Sequence, residues 1–582
     1  MSWAATLLPL AVLAPLGVAA AMLAIEHALP RRAADVLAIV VSAADLLLCA
    51  FLAGESQAGP VLHWFGGWTP NISGRPGVVL GIAFSADPGS AGIAAFCGLL
   101  FTAVFAFAWG YFDEVRAHFH VLMLLFLAAM VGFCLTRDLF DLFVWFELMS
   151  VAAYALTAYP LGPSSLEGAF NFTVVNTIAS YGLLTGVALL YARSGALDYE
   201  AIGHAVGPAG ADPVVLAGFC LIALALLTKG ACVPFHFWLA DAHAVAPSPV
   251  SVIFSGIMVS LALFGLAKLT ATMFAANPDV MALSHGVLPW IGAATAVVGA
   301  LTAWAQRHLK RLLAFSTIAH LGVMLTGLTA SGGDGRAGLL LYIVGHGLLK
   351  GSLFMVAGML LAVRASVDEI DLYGRARRLW PVGATMGLGG LLLGGLPVGL
   401  LHGGEHLIEA ANAGRPVIRA AQLVATALTG AAVLRAALRI FAGVSGAPGP
   451  EREGASEREH EKNDRPLALM LAPCAVLVVL ALLPAPWGEQ LAGIGAAGLP
   501  GSTPESHAPE TVFGLLVPIG STLAVLGVSL IRQRPNTAAG RRTAALESTP
   551  FNMLQRLHSG LVGDYVAWLT LGLAAFAIAC LW

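Results

Sequence analysis

Apolar runs recur from one end of the chain to the other, separated by short polar or proline- and glycine-containing breaks. A helix of about 20 apolar residues crosses a bilayer core of about 30 Å. Scanned at that length, the chain predicts about sixteen spans, near 3–28, 33–54, 91–112, 118–135, 138–158, 168–193, 212–234, 247–273, 286–305, 309–330, 337–362, 384–410, 416–441, 467–484, 511–531 and 560–582. The expected fold is an all-α polytopic membrane protein. Three stretches fall outside the pattern: a charged cytoplasmic linker at 444–466, an external loop rich in Gly, Pro and Ser at 485–510, and a surface segment at 532–558 carrying Arg532, Arg534, Arg541 and Arg542.

Two spans break in the middle. In span 7, Lys229 stands in an apolar helix, and Pro234 interrupts that helix because proline removes a backbone donor and clashes with the preceding turn. Polar turns at His236–Trp238 and Asp241–His243 follow, and Pro247 and Pro249 restart the chain. In span 12, Gly395, Pro397 and Gly399 precede Glu405. Two broken, charged spans placed five apart predict two inverted five-helix repeats, spans 4–8 and 9–13. The expected organisation is then 1–115 (helices 1–3), 116–275 (first repeat), 276–443 (second repeat), the linker 444–466, and 467–582 (helices 14–16).

Composition sharpens the membrane assignment. Of 582 residues, 58% are hydrophobic and 11% charged, and the net charge of -3 gives nucleic acid no natural footing. Lys and Arg favour the loops after odd-numbered spans by roughly three to one, which puts those loops in the cytoplasm and both termini outside. The first run has Arg31 and Arg32 after it and no basic residue before it, the polarity of a first span rather than a secretory signal. Seven cysteines stand singly in apolar runs without a CxxC, so no cofactor, iron–sulfur or haem attachment is expected.

The few ionisable residues inside spans carry the candidate chemistry: Glu147, Lys229, His320, His346, Lys350 and Glu405, with Glu409 one turn beyond the last. A charge in hydrocarbon must pair, face the bundle interior or meet water, so these groups should point at one another. Burial disfavours the charged form of a lysine and an approaching carboxylate restores it, so movement between Glu147 and Lys229 would load and release a proton. Histidine passes protons near neutral pH. The static alternative is a set of buried ion pairs that fix helix packing. His402, Glu405 and His406 match an inverted zinc-protease pattern, but in a glycine-broken membrane span with no soluble catalytic domain around it no metal site is expected.

At these residues the chain resembles a known family. DLFDLFVWFELMSVAAYAL, LLTKGACVPFHFWLADAHAVAPSPVS, HLKRLLAFSTIAHLG and HGLLKGSLFMVAGML are similar to the proton-conducting antiporter-like subunits shared by respiratory complex I, Mrp-type Na+/H+ antiporters and membrane-bound hydrogenases. The resemblance covers residues 90–440 or so and implies two inverted repeats around a hydrophilic axis. It assigns Glu147 as the span-5 glutamate, Lys229 as the span-7 lysine, Lys350 with His346 as the span-11 pair, and Glu405 as the span-12 acid. It also implies a bacterial inner-membrane location and other membrane subunits as partners, with iron–sulfur or hydrogenase-like redox subunits driving proton movement. Two alternatives stay open, an Mrp-type Na+/H+ antiporter subunit and a membrane partner anchoring a soluble enzyme. Ser260 stands where many members carry a lysine, and Asn171 replaces another. The roughly 28 residues between spans 15 and 16, at ~1.5 Å per residue, are too few for the bracing lateral helix of the distal complex I subunit.

Overall fold

The computed structural model describes residues 3–69, 81–112, 115, 117–207, 212–329, 333–444, 449, 466–497, 512–532, 564–568, 570–572 and 574. Its N-terminal part comprises α1 (Trp3–Leu7), α2 (Leu10–Ala24), α3 (Arg31–Glu55), a two-stranded antiparallel ribbon of β1 (Val61–Trp64) and β2 (Ala83–Ala86), and α4 (Pro88–Tyr111). Then come α5 (Ala117–Leu135), α6 (Leu139–Thr157), α7 (Pro163–Ser194), α8 (Tyr199–Val206), α9 (Pro213–Lys229), α10 (Phe237–Val245), α11 (Ser248–Ile253) and α12 (Val259–Thr272). A π-helical turn, Phe254–Met258, joins the last two. The chain continues through α13 (Pro278–Gly286), α14 (Leu288–Ala305), α15 (Leu309–Leu328), α16 (Gly333–Arg364), α17 (Trp380–Leu393), α18 (Gly399–Ala411) and α19 (Pro416–Ala437). It closes with α20 (Leu467–Ala481), α21 (Ala485–Ala497) and α22 (Val512–Arg532).

Among the described residues 11 helices, or 12 with the bent pair α20–α21, are long and apolar enough to cross a membrane. The chain is an all-α polytopic membrane protein with one short ribbon. Local chemistry sets the helix starts. Asp87, Asp138 and Asp212 stand at N-caps, where each carboxylate accepts backbone N–H groups that the first turn leaves without partners. With no hydrophobic drive between helices in lipid, close approach comes from small residues. A Cβ on Gly292 of α14 would lie 2.9 Å from the carbonyl oxygen of Gly322, which brings α14 and α15 into backbone contact. The segment Ser248–Thr272 is wholly enclosed and forms the centre of the bundle.

The structure corrects two expectations. Residues 485–497 form helix α21 rather than a loop, turned 82° from α20. Their glycines serve packing, since a Cβ on Gly488 would meet Leu400 at 2.6 Å, while Trp487 and Leu491 face outward. Lys268, Lys310 and Arg435, counted above as loop cations, are buried, and each closes a helix end. Lys268 Nζ donates to the carbonyls of Cys134 (2.7 Å) and Thr136 (3.1 Å) at the end of α5. Arg435 donates to Trp304 (2.7 Å) and Gln306 (2.8 Å) at the end of α14, and Lys310 to Ala246 (2.7 Å) after α10. Cations are stabilised there because the last carbonyls of a helix lack partners and carry the negative end of its dipole. The linker at 444–466, apart from its edges and Gly449, lies outside the described residues, as do the surface segment 532–558 beyond Arg532 and most of 560–582.

Candidate functional site

The break in the first broken helix places its lysine. Lys229 is the last residue of α9, and Trp238 at the start of α10 holds the break by donating its indole N–H to the Thr228 carbonyl at 3.0 Å. Lys229 is fully buried, and its Nζ donates to Ser150 Oγ on α6 at 2.5 Å. The rings of Phe146, Tyr154 and Phe172 surround the ammonium at 5.0, 5.9 and 5.6 Å, a cation–π box that offsets part of its desolvation. Glu147 lies three residues before Ser150, on the same side of α6, and accepts a hydrogen bond from Ser180 of α7. Glu147 and Lys229 form no ion pair with each other. Each instead meets a serine, Glu147 the hydroxyl of Ser180 and Lys229 that of Ser150.

A second cluster occupies α15, α16, α18 and α19. Lys350 of α16 donates to the Leu313 carbonyl at 3.1 Å and to the Ser316 hydroxyl, both on α15. One turn earlier His346 faces His320 of α15, ring centroids 5.4 Å apart, and neither nitrogen of His346 has a hydrogen-bond partner among the described residues. His320 is fixed on both sides, Nδ1 with the Tyr342 hydroxyl at 2.7 Å and Nε2 with Thr429 Oγ1 at 3.0 Å. On α19, Thr426 stands one turn before Thr429 and donates to Glu405 Oε1 at 2.6 Å. Lys350, His346, His320 and Glu405 thus gather where these four helices meet, with Thr429 bonded to His320 and Thr426 to Glu405.

Between the clusters lie His243 and a hydroxyl pair. His243 of α10 is fully buried, stacks on Phe354 with centroids 4.6 Å apart, and has no hydrogen-bond partner among the described residues. Ser255, in the π-helical turn, is hydrogen-bonded to Thr317 of α15 at 2.5 Å. Ser260 is buried and bonded to its own helix, to the Ile257 carbonyl at 3.0 Å. Pro397 lies in the break between α17 and α18, where Gly395 (φ 82°) and Gly399 (φ 84°) adopt a backbone that other residues rarely take.

All six ionisable residues singled out in the sequence fall into these two clusters. Sequence reasoning missed the hydroxyls that connect them, Ser150, Ser180, Ser316, Thr426 and Thr429. Each is inconspicuous in a membrane helix because a hydroxyl can bond the carbonyl one turn back, as Ser150 does to Phe146 at 2.7 Å. His243 was legible as a histidine flanked by helix breakers, but it was read as part of a polar turn. His402, Glu405 and His406 gather no metal set, and among the described residues no group of three or more His, Cys, Asp or Glu side chains is arranged to hold one.

Residues 136–429 match a family model described as NADH:quinone oxidoreductase/Mrp antiporter, transmembrane. The NADH-quinone oxidoreductase subunit N of Desulforudis audaxviator (strain MP104C) is 32% identical over 330 residues, which span 56% of this chain and 63% of that protein. The fold is that of a chain in the membrane-bound sulfane sulfur reductase, an archaeal respiratory membrane complex (TM-score 0.74, 21% identity, covering 90% of this chain and 100% of that one). A chain of the Mrp complex from Dietzia sp. DQ12-45-1b superposes with a TM-score of 0.72 at 22% identity, over 90% of this chain and 100% of that one. A chain of respiratory complex I from Thermus thermophilus gives 0.63 at 26%, over 83% and 99%.

Proposed function

Because the chain belongs to the NADH:quinone oxidoreductase/Mrp antiporter family of membrane subunits, we propose that it moves protons along the two buried clusters as one subunit of a larger membrane complex. The observation that carries this reading is a pair of hydrogen bonds one turn apart on α19, His320 to Thr429 and Thr426 to Glu405, a gap that one ordered water would close. Proton passage needs groups that donate and accept in succession, and a purely structural ion pair needs no such succession. Glu147, Ser150 and Lys229 form the other terminus. His243 and the Ser255–Thr317 pair stand between, where ordered water would complete the connection.

The two clusters fit two repeated units, 116–275 and 276–443. Paired contacts support the repeat. Arg137 pairs with Asp198 at 2.8 Å as Arg307 pairs with Asp368 at 3.0 Å. The backbone N–H of Leu139 bonds Leu197 as that of Leu309 bonds Val367. Lys268 closes the end of α5 as Arg435 closes the end of α14. The short broken pairs α9–α10 and α17–α18, taken with α22 and the segment 560–582 as further spans, bring the proposed count to about sixteen. The distribution of Lys and Arg puts both termini outside, in a bacterial inner membrane.

The subunit holds no redox chemistry in this reading, and the driving force comes from partner subunits. Lys229→Ala should abolish proton pumping by inverted membrane vesicles while the complex still assembles, and unchanged pumping would overturn the proposal. Sodium-dependent flux in the same vesicles would instead mark an Mrp-type antiporter. Retained activity of a copurifying soluble enzyme after Glu147 and Lys229 are both replaced would mark a membrane anchor.

A further inference from the structure

The inward face of α3 carries polar residues among small and apolar ones. Its buried positions include Asp35, Ser42, Asp45 and Cys49, spaced by seven, three and four residues, while Val36, Val40, Leu47 and Phe51 point outward. That spacing keeps one stripe against the bundle. None of these residues belongs to the clusters above, which use α6, α9, α15, α16, α18 and α19.

The groups opposite the stripe are also protonatable or hydroxylic. At the start of α3, Asp35 is 1% exposed and its Oδ1 lies 2.7 Å from Nε2 of His120 on α5, itself 1% exposed. Arg31 lies one turn before Asp35, with Nε 3.6 Å from Oδ2. Beside them a cavity of 430 Å³ is lined by Glu26, His27, Arg31 and His118, with His118 Nε2 3.0 Å from Glu26 Oε2. Further along, Thr102 of α4 donates to Ser42 Oγ at 3.1 Å. Asp45 follows, 4% exposed, with the Cys49 thiol 3.9 Å from Oδ1 and the thiols of Cys97 (α4) and Cys134 (α5) facing the same place. Its Oδ2 has no hydrogen-bond partner among the described residues.

We infer that the seam between α3, α4 and α5 is a proton-loading branch, leading from the Glu26–His118 cavity through His120 and Asp35 to a carboxyl at Asp45 that holds the proton and returns it by the same route. The ten residues from Asp35 to Asp45 rise about 15 Å, half the thickness of a bilayer core. The terminal group therefore lies near the middle of the membrane. A carboxylate placed there without a counter-charge is costly, whereas a carboxylic acid is not, so Asp45 would take up a proton whenever one reaches it. The proton leaves the imidazolium of His120, passes to Asp35, and crosses by the Ser42–Thr102 hydroxyls and water to Asp45. A metal cation fits less well, since among the described residues no group of three or more His, Cys, Asp or Glu side chains is arranged to hold one.

The test uses the full chain in liposomes. Dicyclohexylcarbodiimide, which reacts with protonated carboxyls in apolar surroundings, should modify Asp45 and do so less as pH rises, as read by peptide mass spectrometry. Asp45→Asn should lose the label, while Asp45→Glu should keep it with the same fall as pH rises, as a titrating group would and a packing group would not. His120→Gln, which leaves Asp45 intact, should slow labelling. The inference fails if Asp45 stays unlabelled at every pH, if its labelling does not fall as pH rises, or if His120→Gln labels at the parental rate. None of these results depends on whether Lys229 conducts, because the labelling is read at Asp45 itself.

Discussion

Thr429→Val is the sharpest probe of the central line. Valine keeps the branched shape and removes one hydroxyl. That hydroxyl lies 3.0 Å from His320 Nε2 and donates to the Ala425 carbonyl at 2.7 Å. The carbonyl keeps its helical partner, so the loss falls on His320, whose buried nitrogen is left without one. A buried polar group deprived of its partner costs about 1–3 kcal/mol. The same loss breaks the succession from His320 to Glu405. If it is felt in the transfer step, a barrier increase of about 1.4 kcal/mol slows the step tenfold and one of 3 kcal/mol more than a hundredfold. Proton pumping in inverted vesicles should therefore fall by about fivefold to a hundredfold in the valine variant, with assembly intact, and Thr429→Ser should recover most of it. Parental pumping in the valine variant, or a serine variant as impaired as valine, would refute the reasoning.

Two further outcomes follow from contacts at helix ends. Arg435→Ala and Lys268→Ala each remove two charge-assisted bonds to terminal carbonyls, so each should destabilise the detergent-solubilised protein by about 3 kcal/mol. Similar losses in thermal unfolding would support the paired-repeat reading, and a large loss in only one would count against it. Near the C-terminus the Tyr565 hydroxyl donates to Asp241 Oδ2 at 2.6 Å, and Phe237 stacks on the Tyr565 ring. Tyr565→Phe should loosen α10 by about 1 kcal/mol, measured as faster amide hydrogen exchange over 237–245. Unchanged exchange there would show that the tail does not brace the break.

The legible part of this protein was whatever contrasts with hydrocarbon. Lys229 and Pro234 stand out in an apolar run because each is costly there, and the structure places a helix end at that point. Glu147, His320, His346, Lys350 and Glu405 stood out for the same reason. What the sequence hid depends on partners distant along the chain. Ser150 and Thr429 look like ordinary helix residues until another helix brings a lysine or a histidine to them. Lys268, Lys310 and Arg435 lie near span ends, where a cation is ordinarily solvated, and only the neighbouring helix end shows that they are buried. Asp45 was overlooked although its spacing from Asp35 and Ser42 was readable, because a single acid in a long apolar helix gives no hint of what faces it.

The π-helical turn at Phe254–Met258 has a mechanical consequence. Upstream, the helix is anchored where Lys310 holds the Ala246 carbonyl; downstream, it is anchored where Lys268 grips Cys134 and Thr136. A π turn stores one residue beyond the α-helical winding, and one residue corresponds to about 100° of rotation. Between two clamped ends that stored residue is slack in an otherwise taut rod. Passing it along the helix to a neighbouring turn would swing Ser255 away from Thr317 without dragging either anchor. A helix enclosed on every side can in this way make or break a contact at the centre of the bundle by twisting, where it has no room to slide.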